Sequence, residues 1–200
     1  MRPEALRREA LRIALIDDNP VRAAILEEGL REAGHSDITR LTTTPTLLRK
    51  LSVLDPDMVI IDLANPSRDS LEQMFQISRS VPRPVAMFVD HSDTSMIEAA
   101  VEAGVSAYIV DGLKKERIKA ILDMSISRFN AFSRLKNELA QARTELDERK
   151  TVERAKAILM QRRSITEPEA YALLRRTAMN ENRRIIDVAQ SIMTAAELLR

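Results

Sequence analysis

The chain has 200 residues, 31 Lys/Arg against 30 Asp/Glu, a net charge of +1, 44% hydrophobic residues and no Cys or Trp. That is enough apolar chain for one large domain or two small ones, and it excludes disulfides, thiol nucleophiles and cysteine-ligated zinc. No run of 18 apolar residues occurs and the opening stretch, MRPEALRREALR, is charged, so no signal peptide or membrane span is expected and a cytoplasmic location is.

Taken in order, residues 12–17 form a short apolar run ending in acids, which predicts a strand. Pro20 then opens a helix with Val21, Ala24, Ile25 and Leu30 as its buried stripe, and Gly34 stops it. Residues 37–41 read as a weak strand, and Leu47, Leu48, Leu51 and Leu54 as the face of a second helix. Residues 57–63 are the clearest strand, continuous and β-branched. A helix over 70–80, a strand over 84–89, a helix over 95–103 ended by Gly104, and a strand over 106–110 follow. Five strands alternating with helices predict an α/β unit with a parallel sheet covered on both faces. Asp17, Asp18, Asp62, Asp90 and Asp111 then fall at or just after strand ends, the rim where such sheets build their sites.

From Leu113 to about Gln161 no Pro or Gly interrupts the chain. Phe132, Leu135, Leu139, Ala142 and Leu146 follow the 4-3 spacing of a coiled-coil seam, which predicts a dimerising linker helix. The register breaks at Arg149 and Glu153, and Val152, Ala155, Ile158 and Leu159 begin a new stripe. Thr166 with Glu169 reads as a capping box, and a helix to about Met179 buries Ala170, Leu173, Leu174 and Ala178. Asn180 and Asn182 mark a turn, and a last helix over 184–199 buries Ile185, Ile186, Val188, Ile192 and Leu198. The predicted boundaries are 1–125 for the α/β unit, 126–148 for the linker and 149–200 for an all-α three-helix bundle.

Adjacent carboxylates after one strand and a third after a central strand suit a hard divalent cation. Asp17-Asp18, followed by Asp62 in VIIDLANP, resembles the receiver domain of two-component response regulators. That resemblance implies a flavodoxin-like (βα)5 fold, Asp62 as phosphoacceptor, and magnesium at Asp17, Asp18 and Asp62, although no cofactor is required for the output. The chain departs from the pattern twice. Val89, with Ser92 beyond it, stands where receivers have Thr or Ser, and Asp111-Gly112 stands where they have Lys. An aspartate there adds negative charge beside an incoming phosphoryl group instead of neutralising it. The expectation is therefore a receiver fold kept mainly as a protein-binding scaffold.

Eleven Lys/Arg against six Asp/Glu give residues 149–200 a net charge of +5, so the rest of the chain carries −4. Lys156 and the doublets Arg162-Arg163, Arg175-Arg176 and Arg183-Arg184 are the candidate phosphate contacts. The middle of the last helix, Val188 to Ala196, offers Gln190, Ser191 and Thr194 but no Arg or Lys for base edges, which favours shape-read RNA over the major groove of DNA. Tyr171 is a candidate stacking residue or a half-buried core residue.

The series AKAILMQR (155–162), EAYALLR (169–175), Ala178-Met179 and DVA (187–189) resembles the ANTAR domain, the RNA-binding module of AmiR- and NasR-type antiterminators. Ala157 and Ser164 stand where that family commonly has Gly. The order receiver, coiled coil and ANTAR is most similar to NasT-type regulators of nitrate and nitrite assimilation. The resemblance implies a homodimer that binds paired hairpins in a nascent leader mRNA, blocks a terminator so that the RNA polymerase elongation complex, affected only indirectly, reads through, and is restrained by a nitrate-sensing repressor protein. The competing expectations are a phosphorylation-controlled DNA-binding response regulator and a scaffold whose tail only dimerises. No His-based triad, phosphate loop or metal-hydrolase spacing appears, and His35 and His91 stand alone, so an enzyme is not expected.

Overall fold

The computed structural model describes residues 11–64, 66–110 and 115–198. Five strands, β1 (Arg12–Ile16), β2 (Asp37–Leu41), β3 (Met58–Leu63), β4 (Val85–Val89) and β5 (Ala107–Val110), pair in parallel in the order β2-β1-β3-β4-β5. This is the flavodoxin-like order, whose switch point lies between β1 and β3. Helices α1 (Pro20–Glu32), α2 (Leu47–Leu54), α3 (Arg68–Ser80) and α4 (Thr94–Glu102) form the crossovers. Helix α5 (Lys115–Arg163) is followed by α6 (Glu167–Asn180) and α7 (Ile185–Leu198). The chain divides into two compact units, Met1–Ser133 and Arg134–Arg200, with the division falling inside α5.

Both faces of the sheet are buried because its central strands are apolar at all positions but Arg12 at the start of β1 and Asp62 near the end of β3. Ala14, Ile16, Val59, Ile61, Met87 and Val89 point to one side and pack with Leu47, Leu51, Leu71, Met74 and Phe75. Ile13, Leu15, Met58, Ile60 and Phe88 point to the other and pack with Leu26, Leu30, Ile118 and Leu122. That is the period-two alternation of a strand with a core on each side.

Helix α1 starts where Pro20 fixes φ and the Asn19 side chain accepts from the Val21 and Arg22 N–H groups. It ends before Gly34, whose φ of +97° suits a residue without Cβ. Its buried face differs from the expected stripe. Ala23, Leu26, Gly29 and Leu30 are buried, whereas Val21 and Ile25 are exposed and so is Ala24. The helix has apolar residues on two faces, and the sheet takes the face with small residues. On the same face Gly29 lets α1 lie close to the start of α5, since a Cβ there would meet the Ile118 side chain. On α2, Leu47 and Leu51 are buried as expected, while Leu48 is 44% exposed.

The second unit packs Ala155 and Leu159 of α5 against Ala170, Leu174 and Ala178 of α6 and Val188 and Ala189 of α7. Thr166 and Glu169 make the expected helix start, with the Glu169 carboxylate accepting from both the Thr166 N–H and its hydroxyl. The turn between α6 and α7 places Asn182 at φ +50°, which Asn tolerates. Leu198, expected in the core, is 82% exposed at the end of α7, beyond Val188, Ala189 and Ile192, which contact the core.

Candidate functional site

At the carboxyl ends of β1 and β3, Asp17, Asp18, Asn19, Asp62 and Ser70 line an open cleft of about 480 Å³. The sheet puts Asp62 there by continuing β3 to its rim, with the carboxylate fully buried. Asp17 is also buried. Its Oδ1 accepts from the Asn19 N–H at 2.7 Å, and its Oδ2 has no partner. Burial, reinforced by the charge of Asp62, pushes the Asp17 carboxyl up from 3.8 to about 6. Asp18 turns to β2's exit and accepts from the Thr43 N–H at 2.8 Å.

The residue that organises this cleft is Arg22, which sequence reasoning missed. From the first turn of α1 its guanidinium forks onto Asp62, Nε to Oδ2 at 2.8 Å and NH2 to Oδ1 at 2.7 Å. Its NH1 reaches Asp90 at 2.8 Å. These hydrogen bonds, that to Asp62 first, raise the guanidinium pKa further above its usual range. The three carboxylates expected to hold magnesium thus line one cleft, but each oxygen of Asp62 already faces a guanidinium N–H. Among the described residues no group of three or more His, Cys, Asp or Glu is placed to hold a metal ion. Val89 is buried in β4, and the Ser92 hydroxyl lies 3.1 Å from that of Tyr108. Asp111 and Gly112 lie outside the described residues.

The candidate RNA contacts fall into two groups. Lys156 is buried, with its ammonium 2.8 Å from Glu153 and 2.6 Å from Glu167, and these two carboxylates raise its pKa. Arg183 pairs with Glu181 and donates to Ser191, and Arg184 pairs with Asp187 and Glu148. Arg162 donates weakly to the Ala196 carbonyl at 3.4 Å. Arg163, Arg175 and Arg176 are exposed, and none has a carboxylate within salt-bridge distance among the described residues. Arg175 and Arg176 border a shallow groove of about 300 Å³ that also takes in Tyr171 and Met179. Tyr171 is 47% exposed, so it is not a core residue. Along the predicted seam, Phe132, Leu135, Leu139 and Leu146 are between 52% and 66% exposed, and Ala142 is exposed as well.

Residues 13–123, more than half the chain, match the response regulator receiver domain. The chain belongs to the response regulators. Residues 140–193 match the ANTAR domain, so this response regulator couples a receiver to an ANTAR output module. It is similar to the transcriptional regulatory protein PdtaR of Mycobacterium tuberculosis, 28% identical over 182 residues that cover 91% of this chain and 89% of that protein. It is also similar to the nitrate regulatory protein of Klebsiella oxytoca, 32% identical over 82 residues, but these cover 41% of this chain and 21% of that one. The fold is shared with the signal receiver domain of a modulated diguanylate cyclase from Desulfovibrio desulfuricans (TM-score 0.52, 16% identical, covering 61% of this chain and 98% of that one). A response regulator from Thermotoga maritima shares it too (TM-score 0.50, 19% identical, covering 57% and 96%). This is a regulatory family, in line with the expected absence of enzyme activity, and receivers commonly use magnesium at this acidic rim. No helix among the described residues of this response regulator is long and apolar enough to cross a membrane.

Proposed function

We propose that this chain is an RNA-binding transcription antiterminator. Residues 149–200 act as the ANTAR module and grip paired hairpins in a nascent leader transcript, so that a terminator cannot form. Residues 126–148 pair two copies through the Phe132–Leu146 seam, and residues 1–125 govern when the grip is available. The observation that carries this reading is the ANTAR match over residues 140–193, a segment with 11 Lys/Arg against 8 Asp/Glu (net charge +3) whose Arg163, Arg175 and Arg176 are free of carboxylates among the described residues. The likeness to a transcriptional regulatory protein over nearly the whole chain supports it.

Duplex DNA is a poorer target. Helix α7 contains no Lys or Arg between Ile185 and Leu198, so it offers no bidentate partner for a guanine edge. RNA hairpins are read through shape and backbone, which suits arginines on a helix face. Control through a sensor partner, rather than through phosphorylation at Asp62, fits a receiver whose acceptor carboxylate is already engaged. The partial likeness to a nitrate regulatory protein makes nitrate or nitrite assimilation the setting to examine first.

Charge reversal tests the RNA face. Arg175→Glu with Arg176→Glu weakens hairpin binding by at least about tenfold and lowers the salt dependence by roughly two counterions. Circular dichroism is unchanged, because neither arginine supports the bundle. Unaltered hairpin affinity in that variant means that the RNA face lies elsewhere.

A further inference from the structure

We propose that Arg22 is a built-in counter-cation that occupies Asp62 in place of a divalent metal, and that the acidic cleft is closed to metal until this side chain leaves. The inference rests on the receiver reading alone, so its failure leaves the RNA-binding proposal standing.

The geometry is that of a finished ion pair. Asp62 is fully buried and presents both oxygens to one guanidinium at 2.7 and 2.8 Å. Planar, bidentate pairing is the strongest arrangement available to a carboxylate and an arginine. The remaining nitrogen is held by both oxygens of Asp90 at 2.8 and 3.0 Å, so the side chain is anchored from two strand ends at once. Its backbone is fixed as well, since the Arg22 N–H donates to the Asn19 cap in the first turn of α1.

Magnesium needs near-octahedral oxygen ligands at about 2.1 Å, which a carboxylate already forked onto a guanidinium cannot supply without releasing it. The other two candidate ligands are directed elsewhere in part. Asp18 is tied to the Thr43 N–H, and one oxygen of Asp17 to the Asn19 N–H. The second Asp17 oxygen is buried in the cleft without a partner. Once Arg22 withdraws, that oxygen and the freed Asp62 become ligands for a hard cation. The metal and Arg22 therefore compete for one carboxylate, and each lowers the apparent affinity of the other.

The full-length protein is titrated with manganese(II) as a paramagnetic stand-in for magnesium, and free ion is read by electron paramagnetic resonance. The wild type shows no saturable site at millimolar manganese. Arg22→Gln gains one, binding at least about tenfold tighter. The gain disappears in the double variant Arg22→Gln with Asp62→Asn. Asp90→Asn, at a carboxylate 39% exposed, removes only the outer anchor and gives a smaller gain in a chain whose buried pair is intact. Equal manganese affinity in wild type, Arg22→Gln and Asp90→Asn overturns the proposal, as does a gain in Arg22→Gln that survives loss of Asp62.

Discussion

Lys156 of α5 and Glu167 of α6 are joined by a 2.6 Å ion pair that draws a lysine ammonium into the C-terminal bundle. Glu153 holds the same ammonium at 2.8 Å from one turn earlier in α5. A lysine at this ANTAR-motif position is thus a strut between two helices in the free chain. Lys156→Ala is expected to lower the melting temperature of the C-terminal unit by a few degrees, because it leaves two carboxylates facing each other. Glu167→Gln, which retains a hydrogen-bond acceptor, lowers it less. Should Lys156→Ala weaken hairpin binding with unchanged thermal unfolding, Lys156 is an RNA contact after all.

Asp17 contributes its own pH dependence to the stability of the receiver unit. Its carboxyl titrates near 6 in the folded chain against an ordinary value of 3.8. The folded state therefore holds a proton that the unfolded state releases between about pH 4 and pH 6. Stability from this residue is greatest below that window and falls as pH rises through it, by up to about 3 kcal/mol. Asp17→Asn, which removes the buried charge, is expected to stabilise the receiver at pH 7.5 and to have little effect at pH 4. Chemical denaturation at the two pH values checks this, and a destabilised Asp17→Asn at pH 7.5 refutes it.

Ser164 ends α5 with φ at +51°, a left-handed conformation that serine adopts at a cost of about 1 kcal/mol. The ANTAR family commonly has glycine here, and the backbone supplies the reason. Ser164→Gly relieves that cost, partly offset by the greater freedom of glycine in the unfolded chain. The net expectation is a gain of roughly 0.5 kcal/mol with RNA affinity unchanged. A lower melting temperature for Ser164→Gly would show that the serine hydroxyl makes a compensating contact.

Much of the receiver was legible because its signals are local. The continuous run Met58–Leu63 can only be buried on both faces, and Asp62 then has to emerge at the sheet's rim. Thr166 and Glu169 announce a helix start within four residues. The buried face of α1 was not legible, because Val21, Ala24 and Ile25 form as good a stripe as Ala23, Leu26 and Leu30. The sheet's shape decides between the two faces, and no local spacing reports that shape.

Arg22 was invisible for a related reason. Its partners lie 40 and 68 residues away, on the ends of β3 and just past β4, and only the parallel sheet gathers them. The pairing of Lys156 was not legible because a lysine in a basic tail is ordinarily solvated, and its second carboxylate sits eleven residues on, across the turn into α6. In both cases pairing between residues far apart in the chain decides which charges are already engaged.

The central claim is that the basic C-terminal module recognises folded RNA. The most direct measurement is competition binding of the full-length protein to a labelled leader hairpin, challenged with unlabelled hairpin RNA or duplex DNA of equal length at two salt concentrations. The account predicts that hairpin RNA competes at least about tenfold better than DNA, with affinity for both falling as salt rises. Equal competition by duplex DNA, or no salt-dependent binding to either, would contradict it.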